Sequence, residues 1–242
     1  MTVSTALPTG DGLASRIAYR ICRSLVCWFT QAFTRMRIEG REHLPATGTY
    51  VIAPVHRSYV DTPITACISR RRIRYMGKQE VWKYRPIGWF VSALGAFPVN
   101  RGTADREALN RCISVLAGGE PLVLFPEGER KDGPVVHPLF DGAAYVAARA
   151  GVPIIPVGIG GSAAVMPRHA KMIHPRKVVV VIGPPIHVGT PDGDRPGRVP
   201  RAAIRAATEQ LSVELQRLFD AAEAGVRPGG GVTTSGTTAG PG

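Results

Sequence analysis

Four short, unbroken apolar runs set the frame of this chain. "TYVIA" (49–53), "PLVLF" (121–125), "GVPIIPVGI" (151–159) and "KVVVVIG" (177–183) are rich in Val, Ile and Leu and are punctuated by Gly, Pro and polar residues. A strand with one wet face alternates apolar and polar residues, so continuous runs of this length read as strands buried on both faces. Helical patterns lie between and after them. Leu109, Cys112, Ile113 and Leu116 share one face of a helix opened by Thr103, with Asp105 and Glu107 in its first turn and Gly118–Gly119 at its end. "GAAYVAARA" (142–150) is another helix, and Ile204, Leu211, Leu215 and Leu218 place a last one over 198–223. Buried strands alternating with helices predict an α/β domain, a largely parallel sheet covered on both faces. With 242 residues, 44% of them hydrophobic, the chain is long enough for one domain with a substantial core plus appendages.

The appendages lie at the two ends. Residues 1–12 read as a flexible leader that lacks the basic-then-apolar order of a secretory signal. Over 13–37, Leu13, Ile17, Ile21, Leu25, Trp28 or Phe29, Ala32 or Phe33 and Met36 recur at helical spacing, with Arg16, Arg20, Arg23, Arg35 and Arg37 among them. Such a helix suits a membrane surface, and it equally suits an ordinary helix packed on its own domain. The longest uncharged stretch there, Ser24 to Thr34, is about half of the roughly 20 residues that a spanning helix needs. The body of the domain occupies 38–225, opening with two short strands around a Gly/Pro turn in "RIEGREHLPATGTYVIAPV". Residues 226–242 read as a disordered Gly/Thr-rich tail.

Thirty Lys and Arg against eighteen Asp and Glu give a net charge of +12, which implies an anionic partner. Residues 70–90 interleave Arg70, Arg71, Arg72, Arg74, Lys78, Lys83 and Arg85 with Tyr75, Trp82, Tyr84, Trp89 and Phe90. Bases stack on such aromatics, and lipid headgroups meet the same mixture at a bilayer interface. Cys22, Cys27, Cys67 and Cys112 form no CxxC pair, so packed thiols of a cytosolic protein are expected rather than a disulfide framework or a zinc site.

Three polar loops follow apolar strands: "HRSYVD" (56–61), "FPVNRG" (97–102) and "FPEGER" (125–130). Ligands of α/β sheets gather beyond the carboxyl ends of strands, which brings His56, Asp61, Arg101, Glu127 and Arg130 toward one cleft. A neutral imidazole takes a hydroxyl proton near pH 7, and a neighbouring carboxylate fixes its tautomer. On a single helix, positions five apart do not share a face. His56 and Asp61 meet only if His56 stands in the loop and Asp61 in the first turn of the helix that follows. Ser58, spaced from Asp61 as in a capping box, and Pro63 both mark that helix start. No serine or cysteine nucleophile stands beside the histidine, so direct transfer of an acyl group to an activated alcohol is the natural reaction. "GIGGSA" (158–163) nearly fits both a hydrolase elbow and a dinucleotide fingerprint, but Ala164 replaces the last elbow glycine and the acidic ribose contact is missing.

These ordered blocks, "HRSYVD", "GKQEVWKYRPIGWFVSALGAFPVNRG", "FPEGER" and "GVPIIPVGI", resemble those of the glycerolipid acyltransferases, most of all the bacterial 1-acylglycerol-3-phosphate acyltransferases, over roughly residues 38–190. The resemblance implies a mixed, largely parallel sheet of the glycerol-3-phosphate acyltransferase type behind a membrane-surface helix. It implies His56 as general base and Asp61 as its orienting partner. Arg101 would bind the acceptor phosphate with Lys78 as helper, Glu127 and Gly128 would shape the acceptor pocket, Arg130 would lie on phosphate, and "GVPIIPVGI" would line the site or an acyl channel. Acyl-CoA or acyl-carrier protein would be the donor, lysophosphatidic acid the acceptor and phosphatidic acid the product. Neither metal nor cofactor is expected, nor a nucleic acid partner, and the protein would sit peripherally or monotopically on the cytoplasmic face of the cell membrane. The family's Glu-Gly-Thr-Arg-Ser block is here Glu127-Gly128-Glu129-Arg130-Lys131, and Phe140 stands where a basic residue is frequent. Both departures keep another lysolipid or glycolipid acceptor in view. A non-catalytic protein binding membranes or nucleic acid is the remoter alternative.

Overall fold

A computed structural model describes residues 13–227 apart from 100–105, 168, 169, 171 and 190–198; the leader over 1–12 and nearly all of the tail over 226–242 lie outside the described residues. The described strands are β1 (Arg37–Glu39), β2 (Val51–Pro54), β3 (Arg74–Lys78), β4 (Ala96–Val99), β5 (Leu122–Val123), β6 (Ile154–Gly160) and β7 (Val179–Ile182). They form one sheet in the order β1-β7-β6-β2-β5-β3-β4. Every neighbouring pair is parallel except β6–β7, where Gly158 faces Val181 in antiparallel register. The sheet is thus mixed and largely parallel, as the sequence predicts. β2 lies at its middle, paired through Val51 and Ile52 with β5 on one side and β6 on the other.

The helices are α1 (Leu13–Thr34), α2 (Asp61–Ala66), α3 (Arg85–Ala93), α4 (Arg106–Ala117), α5 (Gly142–Ala150), α6 (Ser162–Val165) and α7 (Arg201–Val226). α7 covers the sheet through Leu211, Leu215, Leu218, Phe219 and Ala222, all buried. The "GIGGSA" glycines explain themselves here. A Cβ on Gly158 would lie 2.3 Å from the Leu218 carbonyl, and one on Gly160 would lie 2.4 Å from the Ala222 carbonyl carbon. The spacing of this motif serves close approach of α7 to β6, not a nucleophile or a dinucleotide.

α1 packs in an inverted sense. Among its described side chains Tyr19, Thr30 and Thr34 are buried, while Ile17, Ile21, Leu25, Trp28 and Phe29 are exposed. Its domain-facing side works by hydrogen bonds: Arg23 donates to the carbonyls of Ala66 and Ser69, and the Tyr19 hydroxyl accepts the Ile73 N–H at 3.2 Å. The Cys67 thiol donates to the Pro63 carbonyl at 3.0 Å; the interaction of Cys27 with Cys67 lowers the Cys27 thiol to about 7 and, with burial, pushes the Cys67 thiol up. No helix among the described residues is long and apolar enough to cross a membrane.

The stretch 70–90 departs from its sequence reading at Tyr75 and keeps Tyr84 and Trp89 exposed. It is strand β3, a 3₁₀ turn over Gln79–Lys83 and helix α3, with Tyr75 buried in the core. The Arg and Lys residues hid the strand, because β3 is next to the sheet edge and Arg74, although buried, is paired with Glu120 at 2.5 Å.

Gly158→Ala is therefore expected to lower unfolding free energy by about 1–3 kcal/mol, the usual cost of forcing a methyl into a filled core, as read by urea denaturation. An unchanged midpoint would show that α7 shifts freely on the sheet.

Candidate active site

His56 follows β2, and Glu127 follows β5, so the two loops leave adjacent strands at their carboxyl ends. Asp61 is the first residue of α2 and wholly buried. Its Oδ2 accepts the N–H groups of Arg57 and Ser58, both at 2.7 Å, and lies 3.0 Å from His56 Nδ1. An ionised Asp61 only accepts, so Nδ1 carries the proton and the Nε2 lone pair is left to act as base. The His56 ring stacks on Phe125 with centroids 4.0 Å apart, which fixes its second degree of freedom. Asp61 thus reaches back to the backbone before its helix and holds the His56 imidazole with the same oxygen.

The full capping box does not form. The Ser58 hydroxyl donates to the Met166 carbonyl at 2.8 Å and meets the Val60 N–H only at 3.4 Å. Ser58 therefore pins its loop to the segment after α6 by donating its hydroxyl to a tertiary carbonyl, while the Asp61 N–H that a capping box would give to that hydroxyl goes to the Ser58 carbonyl at 3.3 Å.

Glu127 is also wholly buried, and both its oxygens are engaged within the protein. They accept the N–H groups of His56 and His137, each at 3.0 Å, and Arg57 Nη1 at 2.7 and 2.9 Å. Arg57 continues outward to the carbonyls of Gly133 at 3.2 Å and Val135 at 3.0 Å, and its guanidinium carbon lies 4.9 Å from the Phe219 ring centroid. Glu127 accordingly holds the base loop rather than presenting a free carboxylate to an acceptor. Arg57 escaped the sequence reading; its one signal was its place beside His56, which does not separate it from the many other arginines.

Gly128 has φ +73°, and a Cβ there would lie 2.7 Å from the Phe140 ring, so the turn is both left-handed and roofed by that aromatic. Two residues on, the Arg130 guanidinium stacks 3.3 Å from the Tyr59 ring centroid, and its Nη1 is buried without a hydrogen bond. Glu129, the unfamiliar carboxylate of this loop, pairs with Lys131 Nζ at 2.7 Å. Lys131 in turn donates its N–H to the His56 carbonyl at 2.9 Å, closing the loop onto the base.

Of the remaining expected residues, Lys78 ends β3, and its side chain lies outside the described part. Arg101 lies outside the described residues; β4, which precedes it, is three strands from β2, roughly 14 Å at about 4.8 Å per strand. The "GVPIIPVGI" run carries β6, a strand within the sheet that is buried along its whole length. An apolar groove of about 400 Å³ lies elsewhere, between Leu25, Val26, Phe29 and Phe33 of α1, Val60 and Pro63 around Asp61, and Val165 with Ile173. Among the described residues, no group of three or more His, Cys, Asp or Glu is placed to hold a metal ion.

Chemically, the arrangement is an oriented imidazole base at the carboxyl edge of a parallel sheet, with an unsatisfied guanidinium in the next loop and an apolar groove at its flank. That is a site for activating a hydroxyl on an amphipathic, anionic molecule. The family model for acyltransferases matches residues 35–160, just over half of the chain, and the chain belongs to that family.

Its relatives are consistent. The 1-acyl-sn-glycerol-3-phosphate acyltransferase of Bacillus subtilis (strain 168) is 28% identical over 204 residues, covering 84% of this chain and 98% of that protein. The chloroplastic 1-acyl-sn-glycerol-3-phosphate acyltransferase LPAT1 of Arabidopsis thaliana is 30% identical, over 64% of this chain and 44% of the plant protein. The lyso-ornithine lipid O-acyltransferase of Pseudomonas aeruginosa is 29% identical over 43% of this chain and 40% of its own length. The crystal structure of the 1-acyl-sn-glycerophosphate (LPA) acyltransferase PlsC from Thermotoga maritima shares the fold, with TM-score 0.70 and 23% identity over 88% of this chain and 84% of that one.

Glu127→Gln would keep the shape and remove the charge, leaving Arg57 buried and uncompensated. Breaking such a pair typically costs about 3–5 kcal/mol, and that loss is expected in chemical denaturation. A loss under about 1 kcal/mol would mean that water reaches Arg57 and that the pair does not hold the loop.

Proposed function

We propose that this protein transfers a fatty acyl chain from a thioester donor to the free hydroxyl of lysophosphatidic acid, giving phosphatidic acid. The observation that carries the reading is the His56–Asp61 pair, 3.0 Å apart with Nε2 free, beside the unpaired Nη1 of Arg130. His56 Nε2 takes the acceptor's hydroxyl proton as that oxygen bonds to the thioester carbonyl carbon. Asp61 stabilises the imidazolium that results. The tetrahedral intermediate then collapses, the C–S bond breaks, and the departing thiolate takes the proton from the imidazolium. Arg130 holds the acceptor phosphate through its planar fork, with Arg101 and Lys78 as further phosphate contacts. The fatty chain lies in the groove between α1 and α2, which reaches the residues flanking Asp61. Acyl-CoA or acyl-carrier protein supplies the acyl group, and no cofactor takes part.

The protein works from the membrane surface, on the cytoplasmic face of the cell membrane. The stripe of Ile17, Ile21, Leu25, Trp28 and Phe29 supports this, as do exposed Tyr84, Ile87 and Trp89 around α3, which packs against α1. An exposed apolar face of this kind, rimmed by arginines, suits the boundary between anionic headgroups and acyl chains better than it suits water.

A second reading keeps the chemistry and changes the acceptor. Glu129 in the acceptor loop and the Phe140 roof over Gly128 motivate it, and one relative is named for a lyso-ornithine lipid. A panel of lysolipids with one acyl-CoA decides between them: preference for lysophosphatidic acid supports the first reading, and preference for a phosphate-free lysolipid overturns it.

His56→Ala is expected to lower kcat by roughly 10²–10⁴, the usual contribution of a positioned general base; near-normal turnover would remove His56 from the mechanism. Ile21→Ser with Trp28→Ser is expected to reduce co-flotation with vesicles containing anionic phospholipid while leaving the unfolding free energy within about 0.5 kcal/mol, since both side chains are exposed.

A further inference from the structure

We propose that Tyr59 is a positioning residue for Arg130, and that through this stack the base loop sets where the acceptor's phosphate sits relative to His56. The proposal rests on the reading of Arg130 as the phosphate contact. Tyr59 is 55% exposed, so its ring is not retained for the core. It covers the Arg130 guanidinium at 3.3 Å, the distance of a face-to-face stack. Stacking occupies the face of the guanidinium and leaves its in-plane N–H groups unspent. One of these, Nη1, is buried and bonds to nothing, although a buried donor without a partner normally costs about 1–3 kcal/mol. A dianionic phosphate brought against that edge would satisfy it bidentately.

The backbone fixes the same relation. Tyr59 stands between His56 and Asp61 in one loop, whose Asp61 carboxylate accepts the N–H groups of Arg57 and Ser58. Arg130 precedes Lys131, whose N–H is held by the His56 carbonyl at 2.9 Å. The imidazole, its carboxylate and the platform under the phosphate grip are thus built on six consecutive residues, 56–61. Any movement of that loop carries base and grip together, which preserves the spacing between the reacting hydroxyl and the phosphate.

The test uses the full chain with lysophosphatidic acid and a long-chain acyl-CoA in mixed micelles. Tyr59→Leu is expected to raise KM for lysophosphatidic acid about tenfold, the loss of one partly desolvated cation–π contact, with kcat changed less than about threefold. Tyr59→Phe keeps the ring and should retain the wild-type KM. If Tyr59 acts through Arg130, Tyr59→Leu should add little to the KM already raised by Arg130→Ala. A rise in KM for Tyr59→Leu that is undiminished in the Arg130→Ala background, or no rise where Arg130→Ala gives one, overturns the proposal. Failure of Arg130→Ala itself to change KM for lysophosphatidic acid would instead strike the assignment of Arg130 on which the proposal stands.

Discussion

The buried carboxylate of Glu127 is the junction on which the site depends. Taking two ions out of water costs several kcal/mol each, and a single contact would not offset that. Here Glu127 accepts Arg57 through both oxygens, and Arg57 spends its other donors on the carbonyls of Gly133 and Val135. The remaining capacity of Glu127 goes to the N–H of His56 and the N–H of His137. Two segments far apart in sequence, 56–57 and 127–137, are thereby held against one another, with the His56 imidazole beside them. The geometry is fully satisfied, which makes the pair a device for position more than for net stability.

The base is restrained on independent sides. Asp61 fixes its Nδ1 edge, Phe125 lies against its ring face, and Glu127 takes its backbone N–H. An imidazole held in this way keeps Nε2 aimed without an induced change. Behind the site, β2 is paired on both sides and buried, and α7 sits against β6 at a distance that only glycine permits. The paired, buried sheet centre and the exposed face of α1 contrast: the first holds the site's geometry, and the second carries an apolar stripe that the fold leaves uncovered.

Much of the fold was legible in the sequence because burial on both faces leaves a continuous apolar run, and β2, β5, β6 and β7 all carry one. β3 was not legible. Its run "RYMGK" is bounded at both ends by cations, and it becomes a strand through pairing with β5 and β4 that no local pattern encodes. In the site, the pairing of His56 and Asp61 followed from the loop-then-helix signals of Ser58 and Pro63, but the part given to Ser58 did not, since its hydroxyl goes to Met166, 108 residues away.

The sequence by itself determined the strand–helix alternation, the placing of a histidine and an aspartate across a helix start, and an excess of positive charge. These are local or additive properties, readable from spacing and counts. Only the tertiary structure decided that Glu127 faces inward to Arg57, that the glycines of 158–160 serve a helix contact, and that α1 turns its polar side to the domain. Each of these depends on which surface arrives opposite a residue, and that is fixed by the order of strands in the sheet.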